Sequence, residues 1–129
     1  MIEPKLTSLA HGGGCGCKVS PEILSDILGK SGSISTPAEL LVGRGTSDDA
    51  AVYKIDESKA IVSTTDFFMP IVDNPTHFGA ISATNAISDI YAMGGKPLFA
   101  LAVVGMPINV LSPQTISKIL RGGSDMCEK

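Results

Sequence analysis

Tryptophan is absent from this chain of 129 residues, and only two tyrosines and four phenylalanines are present. Aromatic packing therefore contributes little, and the core falls to Ile, Leu, Val, Ala and Met. No run of Lys or Arg occurs and the formal net charge is −3, which argues against a nucleic-acid footprint. An acidic chain can still hold an anion such as a nucleotide, through local donors or through a cation set between its carboxylates and the phosphates. Cysteines number three, an odd count, and no secretory apolar segment opens the chain. That combination reads as free thiols in a reducing cytoplasm. The longest apolar runs are too short to span a bilayer.

What is present suits one globular domain: 43% hydrophobic and 18% charged residues. The apolar share fits either an interface or a richly aliphatic core. Residues 1 to 18 read as a mobile arm, polar and then glycine-rich. Ser20-Pro21 is a helix start, with Ile23, Leu24, Ile27 and Leu28 forming a stripe that ends near Gly29. Thr36-Pro-Ala-Glu39 has capping-box spacing and predicts a short helical turn. Ala50 to Ile55 and Ala60 to Phe68 predict an antiparallel hairpin about the turn Asp-Glu-Ser-Lys. His77 to Met93 is helical in pattern and Gly94-Gly95 ends it. Pro97 to Met106 is a mostly apolar run that predicts a central strand covered on both faces. Ser112-Pro113 opens a last helix. A hairpin, helix, strand, helix order calls for a further strand, so the sequence reads as the first part of a longer one.

The stretch His-Gly-Gly-Gly-Cys-Gly-Cys-Lys, residues 11 to 18, invites three readings. A phosphate-binding P-loop is rejected, because Cys17 stands where glycine is needed, Val19 follows Lys18, and no strand precedes. A zinc site is disfavoured, because Cys15 and Cys17 are one residue apart and only His11, His77 and Cys127 remain as partners. A plain glycine tail with incidental thiols stays open. So does a chemical role: Cys15 lies between glycines that allow close approach, and the Lys18 charge favours its thiolate.

Aspartates recur where secondary structure does not demand them. Asp48 and Asp49 precede a predicted strand, Asp66 lies late in the next, and Asp89 shares a helix face with Asn85 four residues earlier. Such hard oxygen ligands suit Mg²⁺, which takes one or two carboxylates plus phosphate oxygens and water. Each aspartate alone is more simply explained as a turn or solvated residue, less easily so for the adjacent Asp48 and Asp49. Gly45, Thr46 and Ser47 add donors beside the acidic pair, as an anion-holding loop requires.

Four blocks together resemble a known family: HGGGCGCKVSPEIL, LLVGRGTSDDAAVY, VSTTDFFMPIVDNP and ATNAISDIYAMGGKPLFAL. They are similar to the N-terminal part of bacterial selenophosphate synthetases (selenide, water dikinases), from about Leu6 to Glu128. Aminoimidazole ribonucleotide synthetase and thiamine-monophosphate kinase share the Asp-Asp-Ala and Asn-x-x-Ser-Asp-x-x-Ala-Met-Gly elements but lack the Cys-Gly-Cys-Lys arm. The resemblance implies synthesis of selenophosphate from selenide, ATP and water, with AMP and orthophosphate released. It implies Mg²⁺, with K⁺ assisting some members. It assigns Cys15 as catalytic cysteine and Lys18 as a catalytic, nucleotide-contacting lysine. Thr46, Ser47 and Asp48 match the ATP loop, and Asp66 matches an ATP-site aspartate. Asp49 and Asp89 match Mg²⁺ ligands, Asp89 also near the nucleotide. Cys17 matches a second family cysteine, and Cys127 is left as structural. The implied fold is α+β: a two-layer sandwich of helices on a mixed, largely antiparallel sheet that pairs across a homodimer. On this reading residues 1–18 are the catalytic arm and 19–129 the ATP-binding domain. Neither nucleic acid nor a membrane is expected as a partner.

Overall fold

The computed structural model describes residues 3–12, 18–32, 35–43, 45 and 48–129. Helix α1 spans Pro21–Lys30, α2 Pro75–Ala92 and α3 Pro113–Cys127. Strands β1 (Leu40–Val42), β2 (Ala51–Lys54) and β3 (Ala60–Ser63) form one antiparallel sheet in the order β1-β2-β3. The class is therefore α+β, as expected, and every strand pairing in it is antiparallel.

The hairpin follows from its turn. Asp56 accepts hydrogen bonds from the Ser58 amide and hydroxyl, both at 2.8 Å, which closes the chain between β2 and β3. β3 is shorter than its apolar pattern suggests. Its ladder stops where Ser63 faces Ala51, the first residue of β2, so Thr64 to Phe68 continue without strand pairing. β1 is an addition to the elements expected from sequence. The predicted helical turn at Thr36–Glu39 is instead a single turn, with the Leu40 amide bonded to the Pro37 carbonyl at 3.1 Å, and it delivers the chain into β1.

All three helices begin at a proline, as the Ser-Pro and Asn-Pro pairs require. Asn74 caps α2 through the His77 amide at 3.0 Å, and Ser112 caps α3 through the Thr115 amide at 3.2 Å. α2 ends in a Schellman turn: the Gly95 amide reaches Ile90 and the Gly94 amide reaches Tyr91, with Gly94 at φ 70°. Gly122 and Gly123 do not break α3, because they are the surface on which α2 rests. A Cβ at Gly79 would collide with the Ile119 carbonyl, and one at Gly122 with the Thr76 carbonyl. The two helices therefore meet backbone to backbone.

The core sits at one end of this helix pair. Phe78, Ile119, Leu111 and Leu6 are buried together, and Phe68 meets the Phe78 ring edge-on at 5.9 Å. Leu6 belongs to a 3₁₀ turn, Leu6–Leu9, that is docked on the helices. Thr7 donates its amide and hydroxyl to Asp73, and Glu3 accepts from the Ser112 amide and the Thr115 hydroxyl.

One expectation fails. Pro97 to Met106 is not a central strand among the described residues. Leu98, Phe99, Leu101 and Val103 are between 82% and 91% exposed, and no ladder includes them. An apolar run becomes a buried strand only where a neighbouring strand pairs its amides. No such pairing reaches this run.

Glycine substitutions at the helix contact and away from it should have opposite signs. Gly79→Ala destabilises the fold by about 1–3 kcal/mol, because the helices cannot close around a methyl group. Gly29→Ala in α1, whose Cβ meets nothing within 4 Å, gains up to about 1 kcal/mol from helix propensity. Urea unfolding of the two variants separates these signs. The N-terminal turn should respond to acid. Hydrogen bonds from Thr7 hold the Asp73 carboxyl below its ordinary range, and those from Ser112 and Thr115 do the same for Glu3. A depressed folded-state pKa contributes stability above the ordinary carboxylate pKa and loses it as pH falls through the folded value. The Thr7 amide resonance should thus hold its position from neutral pH down to about pH 4 and move only below it. Asp73→Asn should produce the acid-state position at neutral pH.

Candidate functional site

The site lies where the unpaired continuation of β3 crosses α2. In the extended segment, Thr64 and Asp66 project to the same side, since side chains alternate. On α2, Asn85 and Asp89 are one turn apart and share a flank. The two pairs meet. Thr64 Oγ1 donates to Asp89 Oδ2 at 2.8 Å, and Asn85 Nδ2 donates to Asp66 Oδ2.

Asp66 is saturated. Its Oδ1 accepts the Phe67 amide at 2.9 Å and pairs with Lys18 Nζ, while Oδ2 takes the Asn85 amide. Its side chain is 13% exposed, against 32% for Lys18. The Lys18 ammonium also lies over the Phe67 ring, 5.3 Å from its centre. Lys18 is thereby drawn against the segment that carries Asp66. Its positive charge neutralises this carboxylate.

Asp89 is in the opposite condition. It is half-buried, its Oδ2 takes one neutral hydroxyl, and among the described residues no cation pairs with it. Thr64 Oγ1 also lies 3.3 Å from the Asp49 backbone carbonyl oxygen, so this threonine touches the Asp49 main chain as well as the Asp89 carboxylate. Asp48 and Asp49 are exposed immediately before β2. Among the described residues no three acidic, histidine or cysteine side chains gather as a self-sufficient metal cage. The donor set fits a cation that takes few protein ligands and fills the rest with phosphate oxygens and water, as Mg²⁺ does. Asp49 and Asp89 are the residues that could hold it.

Of the residues expected from sequence, Lys18 and Asp66 are brought together, while the backbone of Asp49 and the carboxylate of Asp89 share a neighbour in Thr64. Cys15, Thr46 and Ser47 lie outside the described residues, as does Cys17. Asp48 stands beside Asp49 with an exposed side chain. Cys127 ends α3 as a free, exposed thiol. Thr64 and Phe67 join the site without having been expected there. Thr64 was accessible in principle, since it stands two residues before Asp66 in an extended segment and so faces the same way.

The N-terminal domain of AIR synthase related proteins matches residues 47–129. The chain belongs to this family. Residues 47–129 include Asp48, Asp49, Thr64, Asp66, Asn85 and Asp89, and the arm up to Lys18 precedes them. The chain is 68% identical over 124 residues to the selenide, water dikinase of Dechloromonas aromatica (strain RCB), covering 95% of this chain and 35% of that protein. It is 62% identical over 124 residues to the selenide, water dikinase of Paraburkholderia xenovorans (strain LB400), covering 96% and 35%. It is 64% identical over 128 residues to that of Pseudomonas straminea, again covering 96% and 35%. The resemblance read from the four sequence blocks is thus borne out. The chain spans about a third of the length of the curated relatives it matches. Among the described residues, no helix is long and apolar enough to cross a membrane.

Proposed function

We propose that this chain supplies the arm and the ATP-binding domain of a selenide, water dikinase. The reaction takes ATP, selenide and water to selenophosphate, AMP and orthophosphate, and it provides activated selenium for selenocysteine and selenouridine. The observation that carries the reading is the unequal pair of carboxylates: Asp66 paired with Lys18, and Asp89 without a cation among the described residues. Similarity to proteins of that name along 95–98% of the chain supports it.

The chemistry explains the pair. ATP and selenide are both anionic, so their approach is opposed by charge. Bound Mg²⁺ supplies charge neutralisation and orients the terminal phosphoryl group. Asp49 and Asp89 offer it hard oxygen ligands, with Asp89 also beside the nucleotide. Lys18 offers its remaining N–H donors to the phosphates, and Asp66 keeps that ammonium at the site by pairing with it. Thr46, Ser47 and Asp48 form the loop that holds the nucleotide through backbone and hydroxyl donors. Cys15 guides selenium toward the phosphoryl group, with Cys17 as a second thiol on the arm. In this reading residues 1–18 form that arm, 19–129 the nucleotide domain, and K⁺ is an accessory cation. The sheet pairs with that of a second copy in a homodimer. The reaction belongs in the cytoplasm, with no nucleic acid or membrane as partner.

Phosphorus NMR of the chain with ATP, Mg²⁺ and selenide under strict anaerobiosis tests this, with calorimetry of ATP binding run in parallel. Mg²⁺-dependent ATP binding is the expected result for the ATP-binding part of a dikinase; selenide-dependent AMP would show that this part carries the whole catalytic apparatus, and its absence would make the chain a half-site. Nucleotide turnover indifferent to selenide would assign the chain to an ATP-dependent enzyme with a nitrogen or oxygen substrate. Binding without turnover would leave a non-catalytic nucleotide module, the half-site of such an enzyme. Absence of ATP binding with and without Mg²⁺ would overturn the reading.

A further inference from the structure

We propose that Thr64 is the positioning residue of the Asp49–Asp89 pair, its hydroxyl deciding which Asp89 oxygen is offered to a divalent cation. This rests on the functional reading above and adds a residue to it. Thr64 follows the last residue of β3, is half-buried, and has no strand partner for its own segment. A threonine in such a place commonly turns its hydroxyl to nearby backbone. Here it crosses to a helix 25 residues further along the chain and donates to Asp89 Oδ2 at 2.8 Å. Thr64 Oγ1 also lies 3.3 Å from the Asp49 carbonyl. One side chain therefore touches both residues that the site offers to a cation.

Three properties make the hydroxyl suited to this task. It is neutral, so it fixes Asp89 without cancelling its charge, unlike the ammonium that Asp66 receives. It occupies Oδ2 and leaves Oδ1 without a hydrogen bond or ion pair among the described residues. It is carried on a β-branched side chain, whose χ1 is stiff, so the direction of donation is set by the backbone. Outer partners of this kind orient metal-binding carboxylates and commonly govern affinity by one to two orders of magnitude.

The test is Mn²⁺ binding to the chain, followed by electron paramagnetic resonance in the presence of a non-hydrolysable ATP analogue. Thr64→Val should weaken Mn²⁺ by about tenfold or more, and Thr64→Ser should remain within about threefold of the parent. Asp89→Asn should abolish the same signal. A Thr64→Val chain that binds Mn²⁺ like the parent, while Asp89→Asn does not, would overturn the role of Thr64 and leave the functional reading standing. A changed metal-free unfolding midpoint with parental Mn²⁺ affinity would overturn it equally, since it describes a structural tie only. If neither Thr64→Val nor Thr64→Ala folds while Thr64→Ser does, Thr64 is likewise structural and the inference fails. A parent chain that does not bind Mn²⁺, or binds it regardless of Asp89, would overturn the functional reading as well.

Discussion

Two repeats of nearly equal length meet at this site. Two residues of extended chain advance about 6.6 Å. Four residues of α-helix advance about 6 Å. Thr64 and Asp66 therefore stand opposite Asp89 and Asn85 in a matched, antiparallel order, and both cross-links form. A shift of one residue in the extended segment would turn both side chains away from α2. The rest of the site is built on this match. Lys18 reaches the body because Asp66 is held there, and Thr64 touches the Asp49 main chain as well as the Asp89 carboxylate.

The match depends on where α2 lies. Its position is set from the other side by the contact with α3, where Gly79 and Gly122 let the backbones touch. A helix held at van der Waals distance from another backbone cannot roll to accommodate a misplaced partner. The buried cluster of Phe78, Ile119, Leu111 and Leu6 fixes one end of the same helix pair. The chemistry that follows is a separation of charge. Two carboxylates are presented by elements that face each other, yet among the described residues one receives an ammonium and the other only a hydroxyl. The first anchors Lys18, and the second has no cation beside it among the described residues.

Much of this was legible in the sequence, for identifiable reasons. The Ser-Pro pairs announced helix starts because proline at the first helical position loses nothing, whereas Asn74-Pro75 opens α2 two residues before the start read at His77. The hairpin was legible because Asp56 and Ser58 close it locally. Asn85 and Asp89 were recognisable as one face because a helix has a fixed period. What failed was non-local. β1 is three residues long and exists because β2 pairs with it, which no local pattern reports. The run from Pro97 to Met106 has the composition of a buried strand but lacks a pairing neighbour, so its leucines, Phe99 and Val103 are exposed. Gly122 and Gly123 carry no local helix signal, because their reason is the backbone of α2. Thr64 and Phe67 escaped notice because a threonine and a phenylalanine acquire their roles only from what lies across from them.

The central claim is that Asp89, and not Asp66, serves the cation. It is tested most directly by the affinity of the chain for ATP, measured with and without Mg²⁺, for the parent, Asp66→Asn and Asp89→Asn. The account predicts that Asp89→Asn removes the enhancement by Mg²⁺, whereas Asp66→Asn lowers affinity in both conditions and keeps the enhancement. Loss of the Mg²⁺ enhancement in Asp66→Asn, with Asp89→Asn retaining it, would contradict the account.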